Sequence, residues 1–111
     1  MVVENIISTI DGYKVTACMD GQSALDLLAG RDYLPDIILL DVMMPGMSGY
    51  EVCAQLRDLY KTSALPVIMV SAKNREKEIV RGLEAGANDY VTKPFNRNEL
   101  VARIETQVRS E

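Results

Sequence analysis

Apolar positions along this chain alternate between short continuous or alternating runs and spacings of three and four residues. The short runs predict four strands, at residues 13–18, 36–40, 66–70 and 89–91. The helical spacings predict five helices, over residues 2–10, about 24–30, 48–60, 79–86 and 96–108. Strands that alternate with helices predict βαβ units, and therefore an α/β fold built on a parallel sheet.

Capping signals sharpen the limits of three of these helices. Ser48 is followed three residues later by Glu51, and Asn96 by Glu99, which is the spacing of an N-terminal cap. Gly86 follows the last apolar residue of its helix and suits a C-terminal cap.

Composition limits the kinds of protein this chain can be. Its 111 residues suffice for one small domain, and 48% hydrophobic with 25% charged residues is ordinary globular composition. A net charge of -4 argues against direct binding to nucleic acid. No apolar run approaches the ~18 residues of a membrane span. With no secretory or transit signal, a cytoplasmic location is expected.

Cysteine and histidine usage excludes several kinds of site. Cys18 and Cys53 are too far apart for a zinc motif or a disulfide scaffold, and two reduced thiols are expected. Histidine is absent, which excludes a Ser-His-Asp triad and histidine-containing zinc motifs. The chain also lacks a nucleophile elbow, a P-loop and a Gly-rich dinucleotide turn, so a hydrolase or nucleotide enzyme is disfavoured.

Three polar residues follow successive predicted strands: Asp41, Ser71 and Lys93. In open parallel sheets, ligand sites lie beyond the carboxyl ends of the strands. A carboxylate can attack phosphorus to form an acyl phosphate, and phosphoryl transfer needs charge neutralisation by cationic and hydroxyl groups. Each residue alone is more often a cap, a turn former or a solvated side chain. Their succession at three strand ends predicts a phosphoacceptor site with Asp41 as the modified residue.

Three segments around these residues resemble two-component response-regulator receiver domains. They read DVMMPGMSG at residues 41–49, VSA at 70–72 and GANDYVTKPF at 86–95. The resemblance covers nearly the whole chain, with the motifs in the family's order and spacing. It implies one receiver domain over residues 1–111, with a flavodoxin-like parallel sheet and helices on both faces.

The resemblance also implies roles for individual residues. Asp41 would accept a phosphoryl group from a phosphohistidine on a histidine kinase or phosphotransfer protein. Ser71 would bond a phosphoryl oxygen, and Lys93 would pair first with the acceptor and then with the phosphoryl group. Tyr90 would be the switch aromatic, and the Lys93-Pro94 bond would be cis.

Two further positions in the family influence how fast water removes the phosphoryl group. Here they are Met43, two residues after Asp41, and Lys73, two residues after Ser71. An apolar Met43 offers no polar contact to a water, so slow self-dephosphorylation is expected.

The family's magnesium site depends on an acidic pair at the end of its first strand. Compared with the family, this chain starts within the first helix, and neither that strand nor the pair is present. Glu4, Asp11 and Asp20 match no ligand position. Asp41 and the backbone carbonyl of Met43 remain, and a weak Mg²⁺ site is expected from one carboxylate with waters and phosphate.

The missing strand would lie in the middle of the family's sheet, between residues 13–18 and 36–40. Strands are spaced ~4.8 Å apart, so its loss would leave a gap of nearly ~10 Å. The two neighbours could pair directly, a second chain could fill the gap as a homodimer, or the natural protein could be longer. We expect a fragment or misplaced start that associates as a dimer.

Two functions stay open at this point. The first is a signalling switch that is phosphorylated on Asp41 and has no independent turnover. The second is a pseudo-receiver, a protein-interaction module that keeps the fold without phosphorylation. The output domain is not encoded, although the motifs look like those of receivers attached to cyclic-dinucleotide enzymes or hybrid kinases. By resemblance, a partner would dock near Tyr90, Val80 and Leu100.

Overall fold

The computed structural model describes residues 5–10, 13–18, 36–43, 47–61 and 64–109. The strands are β1 (Asn5–Ile10), β2 (Tyr13–Cys18), β3 (Ile37–Asp41), β4 (Val67–Ser71) and β5 (Asp89–Thr92). The helices are α1 (Gly49–Leu59), α2 (Glu76–Glu84) and α3 (Arg97–Arg109). The five strands form one sheet in the order β1-β2-β3-β4-β5, parallel from β2 to β5, with β1 antiparallel to β2.

The helix predicted over residues 2–10 is wrong where the structure describes it, because residues 5–10 form strand β1. Ile10 pairs with Tyr13, so β1 and β2 are adjacent antiparallel strands, and the sequence between them is Asp11-Gly12. Asp-Gly between apolar strands is a typical two-residue hairpin signal, and β-branched residues such as isoleucine and threonine favour strands. Strand pairing therefore overrides the helical spacing, and these residues do not form the family's first helix as expected.

The expected gap in the sheet is closed by direct pairing of β2 with β3. Val15 lies opposite Ile37 and Cys18 opposite Leu40, in parallel register. Direct pairing was one of the three alternatives, and it completes the backbone hydrogen bonding between these strands within one chain. A second copy is therefore not needed to fill a strand position. The helix predicted over residues 24–30 lies outside the described residues.

Strand β3 is buried on both faces, as its continuous apolar run predicted. Ile38 and Leu40 pack in the cluster that α1 and α2 cover, whereas Ile37 and Leu39 pack in the cluster that α3 covers. Helices therefore lie on both faces of the sheet, as expected. Alternation along β3 carries over to Asp41, whose carboxylate lies at the open end of the strand.

The predicted capping signals position helices α1 and α3. Ser48 Oγ accepts from the Glu51 amide at 3.2 Å, and Glu51 Oε1 accepts from the Ser48 amide at 2.9 Å. Asn96 Oδ1 accepts from the Glu99 amide at 2.7 Å. The first bond pair starts α1 eight residues after the end of β3, so the helix packs closely against the loop that follows Asp41.

Arg57 of α1 holds together the segments that lead into β4 and β5. Its guanidinium donates to the carbonyl oxygens of Gly86 and Leu65, each at 2.7 Å, and to Asn88 Oδ1 at 2.8 Å. Asn88 Oδ1 also accepts from the Val67 amide at 3.0 Å. Partial burial lowers the pKa of Arg57, but a guanidinium stays charged at neutral pH.

Gly86 makes room for this arginine. Its φ of 115° is in the left-handed region, and a Cβ there would lie 2.4 Å from Arg57 Cγ. The predicted C-terminal glycine of α2 therefore has a second function, which is to let the Arg57 side chain pass. Within the part of the chain that the structure describes, no helix combines the length and apolarity that crossing a bilayer requires.

Candidate functional site

The structure brings Asp41 and Lys93 together at the carboxyl edge of the sheet. Asp41 is the last residue of β3, and Lys93 follows the last residue of β5. Lys93 Nζ lies 3.0 Å from Asp41 Oδ2, and the Met43 amide donates to Asp41 Oδ1 at 2.9 Å. The Asp41 side chain is 13% exposed and that of Lys93 43%. The carboxylate is thus oriented from both oxygens and remains reachable from solvent.

Ser71 is the last residue of β4, between the other two strand ends. It is fully buried, and its backbone carbonyl accepts from the Lys93 amide at 2.8 Å. Its Oγ accepts from the Lys73 amide at 3.0 Å, which leaves the hydroxyl proton to be donated elsewhere. Lys93 therefore contacts both other strand ends, the Asp41 carboxylate through its ammonium and the Ser71 carbonyl through its amide.

Gly49 controls how closely α1 approaches the acceptor, and reasoning from the sequence did not single it out. A Cβ at this position would lie 2.5 Å from the Asp41 carbonyl oxygen and 2.9 Å from Val42 Cα. The Gly49 amide donates to the Val42 carbonyl at 2.9 Å. Only a residue without a side chain lets the helix begin directly against the Asp41 peptide. The glycine within the 41–49 motif was the available signal.

Tyr90 is turned into the protein. It is 7% exposed, and its hydroxyl donates to the Lys73 carbonyl at 2.9 Å. Lys73 therefore bonds to Ser71 through its amide and to Tyr90 through its carbonyl. The Lys93-Pro94 peptide is cis, as the resemblance implied.

The two positions implied to influence phosphoryl lifetime differ in their surroundings. Met43 is apolar but 65% exposed, and it lies in the loop that follows Asp41. Lys73 Nζ lies 3.6 Å from Glu78 Oε2, so its ammonium is directed towards α2. Met43 is thus the more exposed of the two, whereas the Lys73 ammonium is paired with Glu78.

The residues that the resemblance implied as magnesium ligands are Asp41 and Met43. Within the described ranges, no group of three or more His, Cys, Asp or Glu side chains is placed to hold a metal. The Asp41 carboxylate and the Met43 carbonyl are hard oxygen donors, and Mg²⁺ is commonly bound by one or two carboxylates with waters and substrate phosphate. Glu4, Asp11 and Asp20 lie outside the described residues.

Comparison with known proteins places these features in a family. The family model for the response regulator receiver domain matches residues 1–105. A putative response regulator from Chloroflexus aurantiacus J-10-fl is 37% identical, with a TM-score of 0.73 over 82% of this chain and 73% of that one. The Francisella response regulator 1452 receiver domain is 36% identical, with a TM-score of 0.70 over 81% and 71%. A probable two-component system response regulator/GGDEF domain protein is 28% identical, with a TM-score of 0.73 over 81% and 36%.

Proposed function

Because this chain belongs to the response regulator receiver domain family, we propose that it is a phosphoacceptor domain that is modified on Asp41. Receiver domains of two-component systems are signalling domains and generally not enzymes. The phosphoryl donor would be a phosphohistidine of a histidine kinase or phosphotransfer protein. The ion pair between Asp41 and Lys93, 3.0 Å long at the carboxyl edge of the sheet, is the observation that carries the proposal.

The proposed step is a direct displacement at phosphorus. An Asp41 carboxylate oxygen forms the new O–P bond as the N–P bond of the phosphohistidine breaks, and the released imidazole is protonated from solvent. Lys93 neutralises charge on the transferred oxygens, and the Ser71 hydroxyl donates to one of them. Asp41 and the Met43 carbonyl, with waters, would hold Mg²⁺, which supplies further charge neutralisation when bound.

Chemical phosphorylation tests this function without knowledge of the partner kinase. The protein is incubated with acetyl phosphate over a series of Mg²⁺ concentrations, and its intact mass is measured. We expect a gain of one phosphoryl group that depends on Mg²⁺ and is prevented by a chelator. No gain at any Mg²⁺ concentration would contradict the proposal.

One observation favours the alternative of a pseudo-receiver. The acceptor and its lysine are present, but the described residues contain no acidic cluster able to hold a metal tightly. Such a protein would bind partners through the same fold without being modified. A protein that stays at its original mass under all conditions, yet remains folded, would match this alternative.

We propose that the output partner binds the surface beside Tyr90. Val80 of α2 is exposed and Leu100 of α3 is half-buried, which leaves apolar surface near β5 for a partner. One structural relative is a response regulator that carries a GGDEF domain. A similar output domain is proposed as a candidate for this chain.

Replacing Met43 is expected to change the lifetime of the phosphorylated form. Met43→Asn places an amide in the loop that follows Asp41. The amide can hydrogen-bond to an attacking water and orient it, which the methionine side chain cannot do. We expect Asp41 to lose its phosphoryl group several-fold faster, about the effect of one added hydrogen bond. Decay is followed by intact mass after removal of acetyl phosphate. Met43→Leu is the matched control, and its phosphorylated form should decay at the rate of the unaltered protein. If phosphorylated Met43→Asn also decays at that rate, this position has no influence on the lifetime.

A further inference from the structure

Two buried tyrosines from different elements bond to the same short segment. Tyr50, the second residue of α1, is 6% exposed, and its hydroxyl donates to the Glu78 carbonyl at 3.2 Å. The Tyr90 hydroxyl donates to the Lys73 carbonyl at 2.9 Å. Both acceptors belong to residues 73–78, which form the end of the loop after β4 and the first turn of α2. The two tyrosines also belong to one apolar cluster.

The Tyr50 hydroxyl is maintained as a donor by its surroundings. Burial first, and then the neighbouring Tyr90 hydroxyl and the charge of Glu78, raise the pKa of Tyr50 to about 12. The Arg81 guanidinium lies 4.4 Å from the centroid of the Tyr50 ring and acts in the opposite direction on that pKa. Tyr50 is therefore protonated across the physiological range, and its bond to the Glu78 carbonyl does not depend on pH there.

Segment 73–78 connects these tyrosines to the strand-end site. The Lys73 amide donates to Ser71 Oγ at 3.0 Å, and the Lys73 carbonyl accepts from Tyr90. A displacement of this segment must therefore change the surroundings of both Ser71 and Tyr90. On the other side, a Cβ at Gly82 would lie 2.8 Å from Tyr90 Cδ2, so α2 packs directly on the Tyr90 ring.

We propose that Tyr50 is a positioning residue that holds Tyr90 in its buried place by tying α1 to segment 73–78. Without the Tyr50 hydroxyl, α2 and segment 73–78 lose a connection to α1. The Tyr90 ring, which α2 covers, is then free to leave the cluster more often. The effect on phosphorylation rests on the proposed function, whereas the position of Tyr90 in the unmodified protein does not.

Fluorine NMR of the unphosphorylated protein tests this inference. The five tyrosines are replaced by 3-fluorotyrosine, and the Tyr90 resonance is assigned with Tyr90→Phe. Exposure of each ring is read from the change in its shift between H₂O and D₂O. In Tyr50→Phe, we expect the ratio of displaced to buried Tyr90 to rise about fivefold, as loss of one neutral hydrogen bond predicts. The Tyr90 resonance would move towards the shift and solvent dependence of an exposed ring.

Two further variants serve as controls. Tyr60→Phe makes the same chemical change at the other end of α1, and it should leave the Tyr90 resonance unchanged. In Gly82→Ala, the added methyl group would clash with the Tyr90 ring. It should displace that ring whether or not the Tyr50 hydroxyl is present. If Tyr50→Phe is less stable but its Tyr90 resonance is unchanged, Tyr50 contributes only to the stability of the core, and the proposal is overturned.

The unaltered protein supplies a second test that does not depend on a variant folding. Tyr90 must show the small solvent dependence of a buried ring, and magnetisation transfer must connect the rings of Tyr50 and Tyr90. A solvent-exposed Tyr90 in the unmodified protein would overturn the inference. Because none of these measurements uses acetyl phosphate, failure of the inference and failure of the proposed function are separate results.

Discussion

Asp41→Asn is expected to abolish phosphoryl incorporation from acetyl phosphate while leaving the fold intact. An amide lacks the anionic oxygen that forms the acyl phosphate, and it no longer attracts the Lys93 ammonium that lies 3.0 Å away. Asparagine has nearly the shape of aspartate, and its oxygen can still accept from the Met43 amide. The measurement is intact mass after incubation with acetyl phosphate and Mg²⁺, together with thermal unfolding of both proteins.

The control for this variant is Asp58→Asn, the same change at an exposed position on α1. It should incorporate the phosphoryl group as the unaltered protein does. If Asp41→Asn still gains the phosphoryl mass, the acceptor is another residue, and the carboxyl end of β3 is not the site of modification. If both variants lose the gain, removal of a negative charge in general is responsible, and the result would speak against a specific role of Asp41.

Arg57→Met is expected to lower the free energy of unfolding by about 3 kcal/mol. The guanidinium donates to Gly86, Leu65 and Asn88, and methionine removes these three bonds, although Asn88 Oδ1 still accepts from the Val67 amide. A buried polar group without a partner costs on the order of 1–3 kcal/mol. Arg57 is only half-buried, so water can replace part of these bonds, and the expected loss stays below the sum. Urea unfolding measures the change.

Two variants separate the hydrogen bonds of Arg57 from its charge and its bulk. Lys77→Met removes an exposed cation from α2 and should change stability by at most about 0.5 kcal/mol. Arg57→Lys keeps the charge but not the planar set of donors, and should be nearly as destabilised as Arg57→Met. A loss below about 1 kcal/mol in Arg57→Met would show that the network contributes little.

The parts of the fold that the sequence predicted correctly are those with a strong local signal. The apolar runs at 36–40 and 66–70 became β3 and β4, because a strand buried on both faces tolerates few polar residues. The capping pairs at Ser48 and Asn96 gave the starts of α1 and α3 to within one residue, because the cap bonds are local. Helix α2 begins at Glu76, three residues before its first apolar residue, since a helix continues beyond its buried stripe.

Pairing with distant parts of the chain explains one wrong prediction and settles one question that the sequence left open. Residues 5–10 have apolar residues at helical spacing, but pairing with β2 made them a strand. The resemblance implied a gap between residues 13–18 and 36–40, and of the three alternatives left open the structure has the direct pairing of β2 with β3. Backbone groups left unpaired in a sheet are costly, so the strands approach each other and close the gap.

By itself, the sequence determined the order along the chain of the parallel strands β2 to β5 and of the described helices between and after them. It also determined that Asp41, Ser71 and Lys93 stand at successive strand ends, because hydrophobic periodicity and the direction of parallel strands depend on the chain alone. Only the tertiary structure decided that α1 approaches Asp41 through Gly49, and that Tyr50 and Arg57 bond across 28 to 31 residues of chain. These contacts arise because side chains and backbone of different elements pack together. A pattern of neighbouring residues in the sequence does not predict such packing.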